Sequence, residues 1–176
     1  MRSVVVYESI CGNTRQLAYA IADILAVRGT VEVFAVGEAD GVSLRGADLL
    51  VVGAPTHVWG MSWRWTRRIA DPSRGRPDQP PVGVREWLRL LGPGRGQSAA
   101  AFDTEFRSAL GLGAASRGIA RRLRRRGYRL VARPARFFVE TTNGPLCQGE
   151  LARAQQWAAE LAGLPLDWST NTTNGR

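Results

Sequence analysis

Near its start the chain reads Ser9-Ile10-Cys11-Gly12-Asn13-Thr14 directly after the apolar run Val4-Val5-Val6, with a helical pattern beginning at once. A strand, a tight polar turn and a helix start make an anion site. Unpaired backbone N–H groups point out of such a turn, and the helix dipole adds partial positive charge. Ser9 and Thr14 add hydroxyl donors, and Gly12 removes a side chain where a phosphate must approach the backbone. Thr14 has a structural alternative as the helix N-cap, and capping is compatible with holding a phosphate. Glu8, beside the turn, would repel phosphate if it pointed inward.

Other chemistries at this turn lack their residues. Dinucleotide binding wants Gly-x-Gly-x-x-Gly, and only Gly12 is present; Gly92-Pro93-Gly94-Arg95-Gly96 follows a helix, not a strand. A phosphate-accepting regulator would want acidic residues after strands one and three and a Lys after strand five. Strand three ends in Gly53-Ala54, and the chain has no Lys. A cysteine phosphatase would want Arg six positions after Cys11, where Leu17 stands. The two cysteines, Cys11 and Cys147, form no ligand cluster, so no metal site is expected. The formal net charge is +9, and all 24 basic residues are Arg. So complete an exclusion of Lys points to a bias toward Arg codons. The densest run, Arg121-Arg122-Leu123-Arg124-Arg125-Arg126, lies in a helical pattern without interleaved aromatics, which favours a solvated face over a nucleic-acid groove.

The elements that must position the turn alternate along all 176 residues. Strands are expected at Ser3–Tyr7, Val31–Val36, Asp48–Gly53 and Ser98–Asp103, with Tyr128–Glu140 extended and broken at Pro134. Helices are expected at Thr14–Arg28, Val84–Leu91, Ala114–Arg126 and Leu151–Leu161, with Gly29 and Gly127 as stops. The fold class is therefore α/β: one doubly wound, five-stranded parallel sheet with helices on both faces and strand order 2-1-3-4-5. In such sheets a ligand lies beyond the carboxyl ends of the strands where the winding reverses. One domain over residues 1–163 and a polar tail over 164–176 are expected, with a Pro-, Gly- and Arg-rich surface loop at Asp71–Gly83. No stretch approaches the ~20 apolar residues of a membrane span, the best run being Ala47–Pro55, so the expected location is cytoplasmic.

The first loop resembles the flavodoxin phosphate loop, whose pattern is hydroxyl, any, hydroxyl, Gly, any, Thr. Ser9, Gly12, Asn13 and Thr14 match it, Ile10 fills the free position, and Cys11 puts a thiol where a hydroxyl is usual. The resemblance runs from Val4 to about Leu161 and implies an FMN cofactor. The stretch Gly53-Ala54-Pro55-Thr56-His57-Val58-Trp59-Gly60 is similar to the family's loop around one face of the flavin ring. By that resemblance Pro55, Thr56, His57, Trp59 and Gly60 line the ring, with Trp59 stacked on it. His57, the sole His, either bonds its own loop or touches the flavin edge. Trp63 and Trp65 are expected to pack the next segment. Asp103, Thr104 and Phe106 sit where the family's third loop binds the flavin's pyrimidine end and supplies a second stacking ring. Asp103 has an equal alternative as an N-cap or turn former.

The resemblance implies electron transfer through bound FMN. Two alternatives stand beside it: an FMN-dependent oxidoreductase acting on a quinone or protoporphyrinogen, and a flavin-free interaction protein that keeps the fold. Flavodoxins are strongly acidic and this chain is basic, so its charge would steer it toward acidic redox partners such as ferredoxins, or it serves a small-molecule acceptor.

Overall fold

The computed structural model describes residues 1–41, 44–57, 60–61, 82–106, 113–141 and 144–164. Three strands are apolar through their middles and buried on both faces: β1 (Arg2–Tyr7), β3 (Leu49–His57) and β5 (Ser98–Phe106). Alternate side chains feed two separate cores, because successive residues of a strand point to opposite faces. Val4, Val6, Leu50, Val52, Ala99 and Ala101 face one core, and Val5, Leu49, Val51, Ala100 and Phe102 the other. A sheet of this kind must be covered twice, and it is. Helices α2 (Val84–Leu90) and α3 (Ala115–Arg125) cover the first face with Trp87, Leu88, Ile119 and Leu123. Helices α1 (Asn13–Leu25) and α4 (Glu150–Leu161) cover the second with Leu17, Ile21, Leu25 and Trp157.

The sheet is parallel in the order β2 (Thr30–Ala35), β1, β3, β5 and then two short strands, β6 (Arg129–Leu130) and β7 (Ala135–Val139), which both pair with β5. These last two are the fifth strand in two pieces, interrupted around Pro134, so the order is the 2-1-3-4-5 expected from the alternation of elements. One strand is additional: β4 (Gly60–Met61) folds back antiparallel on the end of β3, pairing Thr56 with Met61 and His57 with Gly60.

Two strands run further than their sequences suggest. β3 continues past Gly53 to His57, and β5 past Asp103 to Phe106, with Ala54 opposite Asp103 and Pro55 opposite Thr104. Pro and Asp are poor strand formers, but here their side chains and backbones are held by neighbours described below. The register also places Gly53 opposite Phe102. A Cβ at Gly53 would stand 2.1 Å from the Phe102 ring, which itself packs edge-on against Phe137 and Trp157. Gly53→Ala is therefore expected to cost roughly 1–3 kcal/mol as overpacking. A chain of this size would melt lower by about 2–4 °C per kcal/mol, and Phe102→Leu in the same chain should recover part of the loss. An unchanged melting temperature in Gly53→Ala would refute this packing.

Candidate functional site

The carboxyl ends of β1, β3, β5 and β7 meet at one edge of the sheet, and α1 begins there at the point where the winding reverses. Gly12 is the N-cap of α1, with φ 91°, a left-handed conformation that glycine adopts without steric cost. It is exposed, and a Cβ added to it would meet nothing within 4 Å. Among the described residues no side chain caps the amino end of α1, and its first turn carries no acidic residue. Ser9 and Ile10 are half-buried and Cys11 is exposed.

Two loop residues do something the sequence does not announce. The Thr14 hydroxyl is buried and lies 2.8 Å from the Thr104 hydroxyl, so it joins α1 to β5 rather than capping the helix. Asn13 donates its amide N–H to the carbonyl of Gly144 at 2.7 Å, tying the loop to the segment after β7. That fourth segment at the ligand edge escapes a reading confined to the loops after strands one, three and four. Nothing local could reveal it, because the contact spans 131 residues.

Glu8 is turned away from the cradle. It is 5% exposed, and its Oε2 accepts the Val84 N–H at 2.8 Å on the far side of the sheet, at the start of α2. The one carboxylate beside the loop is thereby removed from it.

Asp103 lies within β5, fully buried, and not in a loop beyond it. Its Oδ2 accepts the Ser116 N–H at 2.8 Å and the Thr56 hydroxyl at 3.0 Å, while Thr56 Oγ1 in turn accepts the Ala115 N–H at 2.9 Å. Both first-turn amides of α3 are thus satisfied from the sheet, which is the capping alternative. Thr104 is buried beside it, and Phe106, the last residue of β5, is 49% exposed at the edge. Pro55 and Thr56 are half-buried; His57 and Gly60 form the β3–β4 turn pair. Trp59, Trp63 and Trp65 lie outside the described residues, as do all but the last two positions of the Asp71–Gly83 loop.

By sequence, no family model and no curated protein matches the chain. By structure, it is similar to a flavodoxin from the domain Archaea at 22% identity, with a TM-score of 0.66 over 93% of this chain and 97% of that one. Flavodoxin 1 from Bacillus cereus superposes with a TM-score of 0.67 at 18% identity, over 93% and 98% of the two chains. A WrbA-like flavodoxin from Agrobacterium tumefaciens does so at 0.57 and 20% identity, over 92% and 95%. The chain has the flavodoxin fold. In this parallel sheet β1, β3 and β5 end at one edge, which brings residues 9–14, Pro55, Thr56 and the end of β5 to the same side of the molecule.

Burial pushes the Asp103 carboxyl up from 3.8 to about 6; the charge of Glu105 adds to this, and the Ser116 and Thr56 hydrogen bonds offset part of it. Its folded value lies above its unfolded one, so the folded state keeps the proton to higher pH. This group's contribution to stability is greatest below the unfolded value and declines as pH rises through about 6, by on the order of 2–3 kcal/mol. Asp103→Asn should abolish that component. Its melting temperature relative to wild type is expected to rise between pH 4 and 7, and a constant difference across that range would exclude the carboxyl as its source.

Proposed function

We propose that the chain binds one FMN at the carboxyl edge of its sheet and passes electrons through it. FMN, when bound, takes up and returns electrons one or two at a time. The observation that carries the reading is the amino end of α1. Glu8 meets α2, Asp103 meets α3, and Glu150 stands in the first turn of α4; of the four α-helices described, α1 alone has no carboxylate there. A helix end that no described side chain caps, with a left-handed glycine and open space above it, suits a phosphate dianion and is poorly suited to anything neutral.

The residues fit the group from both ends. At the phosphate end the backbone amides of residues 9–14 would hold the ligand, with the Ser9 hydroxyl as an added donor. At the ring end Phe106 presents an exposed aromatic face, and we assign Trp59 to the opposite face, with Pro55, Thr56, His57 and Gly60 shaping the turn between them. The roles of Asp103 and Thr104 are to hold this edge in register from beneath: one fixes α3, the other α1. Residues 1–163 would form the flavin domain. Among the described residues no helix is long and apolar enough to cross a membrane.

FMN added to the purified protein should lose its fluorescence and bind at least tenfold more tightly than riboflavin, the difference being a charge-assisted phosphate contact. Gly12→Asp, Asp being among the few side chains found at positive φ, would place a carboxylate in the cradle at some cost in backbone strain. It is expected to weaken FMN by about 100-fold, on the scale of one or two lost charge-assisted bonds, and to leave riboflavin binding nearly unchanged. Equal losses for both ligands, or FMN fluorescence that never changes, would refute the phosphate assignment.

Trp59→Ala separates a cofactor wall from a core residue. Stacking contributes on the order of 1 kcal/mol beyond area burial, whereas truncating a core Trp costs roughly 3–5 kcal/mol. The apoprotein should keep its melting temperature while FMN affinity falls, with Trp63→Ala as the matched control that destabilises the apoprotein. If the two variants exchange these behaviours, the stacking residue is Trp63.

A further inference from the structure

A pocket of about 350 Å³ opens at the amino edge of the sheet, away from the edge where the flavin is placed. It lies between the turn that leads into β3 and the turn that leads into β5. Its size is at the small end of the range for ligand pockets. Leu44, Leu91 and Pro93 give it apolar walls, and Gln97 and Tyr128 belong both to it and to a recess of about 10 Å³ that reaches Leu50. Arg45 and Arg95 line it as well, and none of its lining residues is acidic. Among the described residues neither guanidinium forms an ion pair or a hydrogen bond, and the Tyr128 hydroxyl has no hydrogen-bond partner. Gln97 is fixed in place by its amide N–H, which donates to the Ala47 carbonyl at 3.2 Å. Burial raises the Tyr128 hydroxyl above its ordinary value, and Arg126 offsets part of this. The hydroxyl therefore keeps its proton, and a third positive charge is felt at the pocket.

The backbone at Arg95 is a second, independent observation. The Gln97 N–H donates to the Gly94 carbonyl at 2.8 Å, closing a turn in which φ is 46° at Arg95 and 84° at Gly96. Turns with two positive φ values favour Asn, Asp or Gly at the first of them, and Arg is strained there. Arg95 is the one non-glycine residue at positive φ among those described. Its neighbours hold the turn firmly. Gly94 and Gly96 donate their N–H groups to the carbonyls of Arg126 and Gly127 at 2.7 and 2.8 Å, and a Cβ at Gly94 would stand 2.4 Å from the Tyr128 ring. A charged side chain is thus kept beside the pocket at a position that a smaller residue would occupy with less strain.

We propose that this pocket binds a small organic acid, an oxyanion carried on a short apolar body. Arg45 and Arg95 hold the oxyanion, with the Tyr128 hydroxyl as a further donor, and Leu44, Leu91 and Pro93 enclose the body. A cation would meet no carboxylate among the lining residues, and a neutral molecule would leave both guanidiniums uncompensated. The site is independent of the FMN reading, since it shares no residue with the flavin edge.

The test titrates the whole chain at low salt with phenylacetate and with phenyl phosphate, read by isothermal titration calorimetry. At least one of them is expected to bind with a Kd of about 1 mM or tighter. The tighter of the two names the headgroup, carboxylate or phosphate ester, and either result supports the proposal. Arg45→Gln with Arg95→Asn should weaken that probe at least tenfold, and Asn suits the turn, so the fold is kept. Gly92→Trp removes no charge and adds a ring where a Cβ meets nothing within 4 Å; by filling the pocket it should abolish binding. Arg124→Gln with Arg133→Gln, equal in charge to the first pair and outside the pocket lining, should change the affinity less than about twofold. Equal weakening by the two arginine pairs would mean that net charge alone attracts the probe, and would overturn the proposal. Inorganic phosphate that binds as tightly as either probe would overturn it too, since the apolar walls would then contribute nothing. So would the absence of binding by both probes. Binding lost in Gly12→Asp but kept in the pocket variants would place the anion at α1 instead, supporting the phosphate cradle and refuting this site.

Discussion

Burial of β1, β3 and β5 on both faces is the constraint from which the rest of the molecule follows. Val4, Val5 and Val6 are entirely inaccessible, as are Val51, Val52, Ala99 and Ala100. Strands so enclosed have no solvent face on which to carry polar side chains. Polar chemistry is displaced to the strand ends, and the parallel arrangement gathers the carboxyl ends of all strands at one edge. The helices that return the chain begin at that same edge, so their unpaired amides collect there too.

The acidic residues at this edge are distributed in response. Glu8, Asp103, Glu105 and Glu150 are all less than one-tenth exposed, and each meets a donor: the Val84 amide, the Ser116 amide, the Arg136 guanidinium, and the Phe138 amide with Arg153. Buried carboxylates are tolerated only when so partnered. Asp103 shows how incomplete the partnership can be, since its Oδ1 has no hydrogen-bond partner among the described residues and its proton is held to higher pH accordingly. With the carboxylates drawn off to other elements, the amino end of α1 keeps its positive potential.

Much of this was legible in the sequence, and the reasons are specific. The valine and alanine runs announced strands buried on both sides. Gly29 and Gly127 marked helix ends, and Pro134 marked the break in the fifth strand. Residues 9–14 fell between the first strand and the first helix, as the pattern required. What escaped notice depends on contacts distant along the chain. Glu8 looked like a threat to an anion because its true acceptor role involves Val84, 76 residues away. Asp103 looked like a strand end and Pro55 like part of a loop because propensity weighs a residue alone, whereas Thr56, Ser116 and the β3–β5 register hold them in extended structure. Thr14 looked like a cap because its partner Thr104 is on another strand.

The divided fifth strand has a consequence of its own. A long, straight edge strand leaves a row of open hydrogen-bonding groups on which a second chain can template itself. Here β6 offers two residues and β7 five, with an irregular stretch between them. The outward amide of Phe138 is taken by Glu150, and Val139 is bridged by Leu146 of the same chain. The break at Pro134 thus acts as a guard against edge-to-edge self-association, and it lets a sheet this apolar end on one side without inviting aggregation.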